Sequence, residues 1–256
     1  MQHAVVMSGI GGQGIVVGTK LIGVAATNIG RYCLHYAQYG GEMRGTKCEC
    51  NVTIGDNPIT APPLVSQPDV AIIMHPESFA TLAAAIMPGG LGIVNSSLVS
   101  PSFLLDPDAF KPRVPSASAS GVAIDSSSSG KVELRSDVEW LLVPATDIGK
   151  DLGHVMVATM VAISAFAAET GLIEVSDIRS ALAEIIPPYR HQLLEMDDAG
   201  LRAGYEIVRT DKEITLDRAA DGSLDLSRIP APDASRSVRI PAQGSYIFRK
   251  ATPVPA

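Results

Sequence analysis

His3-Ala4-Val5-Val6-Met7-Ser8-Gly9-Ile10-Gly11-Gly12-Gln13-Gly14 stands near the start of the chain, and Ile15 to Asn28 follows directly. Ala4 to Met7 are apolar without alternation, the pattern of a strand covered on both faces. The glycines then turn the chain, and Leu21, Ile22, Val24 and Ala25 recur at helical spacing. Strand, glycine turn and helix in that order begin an α/β fold. Gly9, Gly11 and Gly14 also satisfy the spacing of the dinucleotide-binding fingerprint. Glycines let a ligand approach the backbone, and the free N–H groups at a helix start attract anionic phosphate. The fingerprint asks in addition for an acidic residue about 20 positions on, ending the second strand, to hold a ribose. That region reads Arg31-Tyr32-Cys33-Leu34-His35-Tyr36-Ala37-Gln38-Tyr39 and contains neither Asp nor Glu. The missing acid counts against a stand-alone Rossmann-type oxidoreductase using NAD. A turn needed only for strand–helix packing, as in a purely structural subunit, is a second alternative.

Working outward, Lys47-Cys48-Glu49-Cys50-Asn51-Val52-Thr53-Ile54 alternates strictly and reads as a half-buried strand closed by Gly55-Asp56-Asn57-Pro58. Asp69 to Met74 leads into His75-Pro76-Glu77 and a short helix through Met87. Leu91 to Val94 leads into Asn95-Ser96-Ser97, and Trp140 to Val143 precedes Pro144. Leu152 to Thr170 and Val175 to Ile186 read as helices, the second capped by Ser176 or Asp177, and a third runs from Pro187-Pro188 to about Arg209. The expected architecture is a doubly wound, mainly parallel sheet with helices on both faces. Residues 1–209 form its one domain, interrupted by a Ser-rich insertion at about 115–130. From 210 to 256 the pattern breaks into prolines and short apolar clusters, which reads as an extended C-terminal arm for subunit contacts.

The 256 residues are 46% hydrophobic and 18% charged, enough to bury a large core. Twenty Lys and Arg against 27 Asp and Glu give a net charge of −7, which argues against nucleic acid as a partner. Three cysteines, Cys33, Cys48 and Cys50, make no disulfide framework and point to a reducing compartment. No secretion signal or bilayer-spanning run is visible, so a cytoplasmic protein without membrane contact is expected. Cys48 and Cys50 share one face of a strand and cannot hold a four-cysteine cluster; they read as small buried hydrophobes. His3, His35 and His191 have no metal-ligand spacing.

A second constellation, Tyr39-Gly40-Gly41-Glu42-Met43-Arg44-Gly45, places an isolated Glu and Arg between glycines. Arg44 could pair a phosphate or carboxylate through its planar fork, or form an internal ion pair with Glu42 that shapes the loop. His75, Asn95 and Ser96 fall where strands end, the edge at which ligands gather in open α/β sheets. Each serves equally as a turn or cap residue, and His154 reads as the hydrogen-bonded opening of the apolar helix.

The strand running into Gly-Ile-Gly-Gly-Gln-Gly, followed by Tyr-Gly-Gly-Glu-Met-Arg-Gly, resembles the gamma subunit of the 2-oxoacid:acceptor oxidoreductases, relatives of pyruvate:ferredoxin oxidoreductase. The resemblance continues through Pro68-Asp69-Val70, Gly89 to Ser97 and Pro144 to Gly149. Thr46, where the family usually has a second Gly, and His154, where it commonly has Asn, depart from the pattern. The resemblance implies a subunit, not catalytic alone, of a complex that oxidatively decarboxylates a 2-oxoacid to an acyl-CoA, or runs the reverse. Thiamine diphosphate and iron–sulfur clusters are then expected in partner subunits, with ferredoxin or a nicotinamide as acceptor. This chain would complete the pocket and contact coenzyme A through Gly9, Gly11, Gly12, Gln13, Gly14, Glu42, Arg44, Gly45, His75, Asn95 and Ser96.

Overall fold

The unbroken apolar runs become the central strands because the sheet is covered on both sides. In a computed structural model of the chain, residues 1–39, 46–60, 62–99, 135–186, 193–209, 213–215 and 236–240 are described. Strands β1 (Gln2–Ile10), β4 (Val70–Ile73), β5 (Leu91–Asn95) and β6 (Glu139–Val143) lie side by side and parallel. Alternate residues separate two cores. Val5, Met7, Val70, Ile72, Leu91, Ile93, Leu141 and Val143 face one, while Val6, Ala71, Ile73, Val94, Trp140 and Leu142 face the other.

Helix α1 (Ile15–Asn28) starts and ends where the sequence places it and covers the first face. On that face it is joined by α4 (Ala158–Thr170), α5 (Val175–Ile185) and α6 (Leu194–Arg209). Helix α2 (Pro76–Ala85) covers the second face, where Phe79 meets Trp140 at 5.8 Å between ring centroids. The sheet is thus mixed and mostly parallel, as expected, but the two helical layers are unequal among the described residues.

The strand order is not sequential at the edge that carries β2 and β3. Strand β2 (Tyr32–Tyr39) does not pair with β1. Strand β3 (Lys47–Gly55) is inserted between them and runs antiparallel to both. The full order is β2-β3-β1-β4-β5-β6-β8-β7. The apolar stretch from Leu152 is also not one helix. After α3 (Ala145–Asp151), Gly153 at φ 97° and extended His154 break the chain, a 3₁₀ turn covers Val155–Val157, and α4 begins only at Ala158. Helix α5 is capped by Glu174, with Asp177 accepting from the Glu174 N–H at 2.8 Å, in place of the expected cap by Ser176 or Asp177.

The Ser-rich stretch at 115–130 and residues 187–192, where the last helix was expected to start, lie outside the described residues. Within the expected C-terminal arm, β7 (Glu213–Thr215) and β8 (Ser237–Ile240) return to the sheet, β8 pairing antiparallel with β6. Alternation along β8 divides its side chains between the two faces of the sheet. Val238 and Ile240 complete the core around Trp140, while Arg239 on the opposite face bridges Glu139 and Glu169, the latter at 2.8 Å.

Candidate functional site

The carboxyl ends of β1, β4, β5 and β6 lie along one edge of the sheet, and a connection leaves each of them there. The first is the glycine turn. Gly14 caps α1 in the left-handed region at φ 79°, with no side-chain cap, so the opening N–H groups of the helix have only backbone or ligand to meet. Gly12, at φ 103°, is exposed, and a Cβ placed there would meet nothing within 4 Å. Within this turn, these are the two positions at which the backbone itself requires glycine.

The partly buried Gln13 turns its side chain onto the protein's own backbone. Its Oε1 accepts from the Ile10 N–H at 2.9 Å, and its Nε2 donates to the Met74 carbonyl at 3.2 Å. Gly9 makes room for this: a Cβ there would strike Gln13 Oε1 and lie 3.1 Å from Met74 Cβ. The main-chain oxygen of Gln13 accepts the hydroxyl hydrogen of Thr159, in the first turn of α4. Gly11 donates its N–H to the Thr46 carbonyl at 2.8 Å. The second glycine-rich stretch therefore re-enters the described chain in direct contact with the first. Glu42, Arg44 and Gly45 themselves lie outside the described residues.

The second connection opens with His75, the N-cap of α2. Its Nδ1 accepts from the Glu77 N–H at 3.4 Å, and burial holds its imidazole below the usual histidine range, with Glu77 opposing. The third contains Asn95, only 2% exposed. Its Nδ2 donates to Thr146 Oγ1 at 2.8 Å and its Oδ1 accepts from the Thr146 N–H at 3.2 Å. Ser96 donates its N–H to the Val143 carbonyl at 2.9 Å, and Ser97 Oγ accepts from the Asp147 N–H at 3.0 Å. The expected site residues within the described chain are thus gathered on one edge. Gln13 and Asn95 spend their side chains on holding that edge together.

Beyond the fourth connection, at Pro144, the break between α3 and α4 adds residues that the sequence reading left out. Met156 Cε would lie 3.6 Å from a Cβ on Gly14, and Val155 and Met156 are 51% and 42% exposed. An apolar rim therefore stands beside the glycine turn. Thr159 was missed because it sits within an otherwise apolar helix. A buried hydroxyl in such a run is the one signal that could have drawn attention to it. His154 caps the 3₁₀ turn, its Nδ1 accepting from the Met156 N–H at 3.1 Å, as expected of a helix opening.

The cysteines are inward-facing. Cys48 and Cys50 are buried on one face of β3, and burial, with Cys50 and Glu49 nearby, pushes the Cys48 thiol up to about 11. Among the described residues, no group of three or more His, Cys, Asp or Glu side chains is placed to hold a metal ion. No helix among them is long and apolar enough to cross a membrane. The insertion of β3 also removes the adjacent β1–β2 pair on which the dinucleotide fingerprint depends.

Fold and edge together define an α/β chain with an open glycine turn at the carboxyl edge of its sheet. Residues 4–207 match the pyruvate ferredoxin/flavodoxin oxidoreductase family, and the chain belongs to that family, as a gamma-type member. It is similar to the 2-oxoglutarate synthase subunit KorC of Methanothermobacter marburgensis, 26% identical over 210 residues, which cover 81% of this chain and 97% of that one. In fold it is similar to the keto/oxoacid ferredoxin oxidoreductase gamma subunit of Geobacter sulfurreducens, with a TM-score of 0.59 and 21% identity over 80% of this chain and 95% of that one. It also resembles part of the 2-oxoglutarate:ferredoxin oxidoreductase of Magnetococcus marinus, solved with 2-oxoglutarate, coenzyme A and succinyl-CoA bound. There the TM-score is 0.60 and the identity 15%, over 79% of this chain and 30% of that one.

Proposed function

We propose that this chain completes the coenzyme A site of a multi-subunit 2-oxoacid:ferredoxin oxidoreductase. The reaction converts a 2-oxoacid and coenzyme A into an acyl-CoA and carbon dioxide, releasing two electrons and one proton. Thiamine diphosphate and iron–sulfur clusters belong in this reading to partner subunits, where they supply decarboxylation and carry the electrons to ferredoxin. This chain contributes binding. Its glycine turn meets the phosphates, and Arg44 adds a cation from the neighbouring glycine-rich stretch. His75 and Ser96 line the same edge.

One observation carries the reading: Gly12 and the uncapped start of α1 offer open backbone at the carboxyl edge of a parallel sheet. Backbone N–H groups at a helix start favour anions, and coenzyme A carries several phosphate charges. Among the relatives, the Magnetococcus enzyme was solved with coenzyme A bound.

The test is a pair of variants in the assembled complex, Gly12→Asn and Gly12→Asp. Both side chains strain the same backbone, so their difference isolates charge. The expected result is an apparent KM for coenzyme A at least severalfold higher for Asp than for Asn, with both complexes assembled. Equal KM values would overturn the proposal. The purely structural reading draws on the internal bonding of Gln13, and it predicts that equality.

A further inference from the structure

Thr159 is 1% exposed and packs on both the glycine turn and α1. Its hydroxyl donates to the main-chain oxygen of Gln13. The hydroxyl oxygen, Thr159 Oγ1, would lie 3.1 Å from a Cβ on Gly14, and the Thr159 methyl Cγ2 would lie 2.6 Å from a Cβ on Gly18 of α1. The first turn of α4 is therefore seated against the start of α1 with no spare room. From the other side, the Gln13 side chain bridges the Ile10 N–H and the Met74 carbonyl, at 2.9 and 3.2 Å. One residue of the turn is thus fixed by its side chain to two strands and by its carbonyl to a helix.

This arrangement has a stereochemical consequence. The peptide unit between Gln13 and Gly14 is planar and trans, so its C=O and N–H point in opposite directions. Holding the Gln13 carbonyl on Thr159 aims the Gly14 N–H away from α4. Without that anchor, the left-handed Gly14 and exposed Gly12 leave a turn whose glycines admit many other conformations. A ligand would then have to order the turn as it bound, and affinity would fall accordingly.

We propose that Gln13 and Thr159 are positioning residues, which fix the Gln13–Gly14 peptide plane and so preorganise the turn for an anionic, phosphate-bearing ligand. The proposal rests on the reading of the turn as a coenzyme A contact. It reassigns Gln13 from contacting the ligand to shaping what contacts it, and it adds Thr159.

The experiment uses the assembled complex carrying Thr159→Val, which keeps the methyl group and shape but removes the hydroxyl, and Thr159→Ser, which keeps the hydroxyl. Initial rates are measured with coenzyme A and the 2-oxoacid varied in turn. The proposal expects Thr159→Val to raise the apparent KM for coenzyme A about tenfold, the scale of one lost hydrogen bond. It expects kcat and the 2-oxoacid KM to stay within twofold, and Thr159→Ser to restore the coenzyme A value. An assembled Thr159→Val complex with unchanged coenzyme A KM overturns it, and so does an equal rise in both KM values. Should Thr159→Val not fold, Gln13→Met tests the same plane from its side-chain anchor and must give the same split. Amide hydrogen exchange on the assembled complex separates the two ideas. Faster exchange across residues 14–18 in Thr159→Val, reversed in Thr159→Ser, supports positioning even where coenzyme A gives the wild-type turn no protection, an outcome that removes the ligand reading alone. Unchanged exchange there overturns positioning.

Discussion

Asn95 and Thr146 hold each other by two reciprocal hydrogen bonds, amide to hydroxyl at 2.8 Å and backbone N–H to amide oxygen at 3.2 Å. The pair ties the end of β5 to the first turn of α3, and Asn95 Nδ2 also lies 3.4 Å from the Met74 carbonyl at the end of β4. Three connections at the candidate site are thus fastened through one buried side chain. Replacing Asn95 by Leu leaves the Thr146 N–H buried without that acceptor, which costs about 1–3 kcal/mol. Urea unfolding of the purified chain should show a lower midpoint with an unchanged slope. An unchanged midpoint would show that water or another group takes over the Thr146 N–H.

Gly9→Ala tests the room kept for Gln13. The new Cβ would meet Gln13 Oε1, with Ile15 Cδ1 at 2.9 Å and Met74 Cβ at 3.1 Å. The Gln13 side chain must leave, breaking both of its hydrogen bonds, or the turn must shift. Overpacking of this kind costs about 1–3 kcal/mol. The variant complex should also bind coenzyme A more weakly, read as a raised KM. Full stability together with wild-type affinity would contradict the account of the turn.

How much of this was legible in the sequence depends on how local the cause is. The limits of α1 followed from a glycine turn at one end and apolar spacing within, and the central strands from their unbroken apolar runs. The place of β3 between β1 and β2 was not legible, because its alternation tells which residues face inward but not which neighbour it joins. The break at Gly153 and His154 was visible as residue types, yet nothing local showed that it would outweigh the apolar run. The return of β8 depends on Glu139 and Glu169, 100 and 70 residues from Arg239, and no local pattern encodes that. At the site, the strand-end positions were readable. What was hidden is that Gln13 and Asn95 turn inward, since that requires Met74, Thr146 and Thr159 to be brought beside them.

The pH dependence of stability follows from His75. Burial disfavours its imidazolium, so its folded pKa lies below the unfolded value of about 6.5. In the window between those two values the unfolded chain binds more protons, and stability rises with pH there. The contribution is therefore fully present above about pH 6.5 and is lost as pH falls through the lowered folded value. Against His75→Asn, which keeps a capping side chain, the wild-type chain should lose stability on acidification from pH 7 to 5. A difference between the two that does not change with pH would contradict this.

The cysteines should be slow to react. Burial raises all three thiols, Cys48 to about 11, which leaves little thiolate at pH 8. Iodoacetamide should label the native chain at a small fraction of the rate seen in denaturant. Rapid native labelling of Cys48 or Cys50 would show that the face of β3 against α1 opens readily.

The most direct test of the central claim is amide hydrogen exchange on the assembled complex, with and without saturating coenzyme A. Exchange should slow across residues 11–17, the glycine turn and the first turn of α1, while the strands beneath keep their rates. Coenzyme A bound to the complex, with exchange at residues 11–17 unchanged and protection confined to a partner subunit, would contradict it.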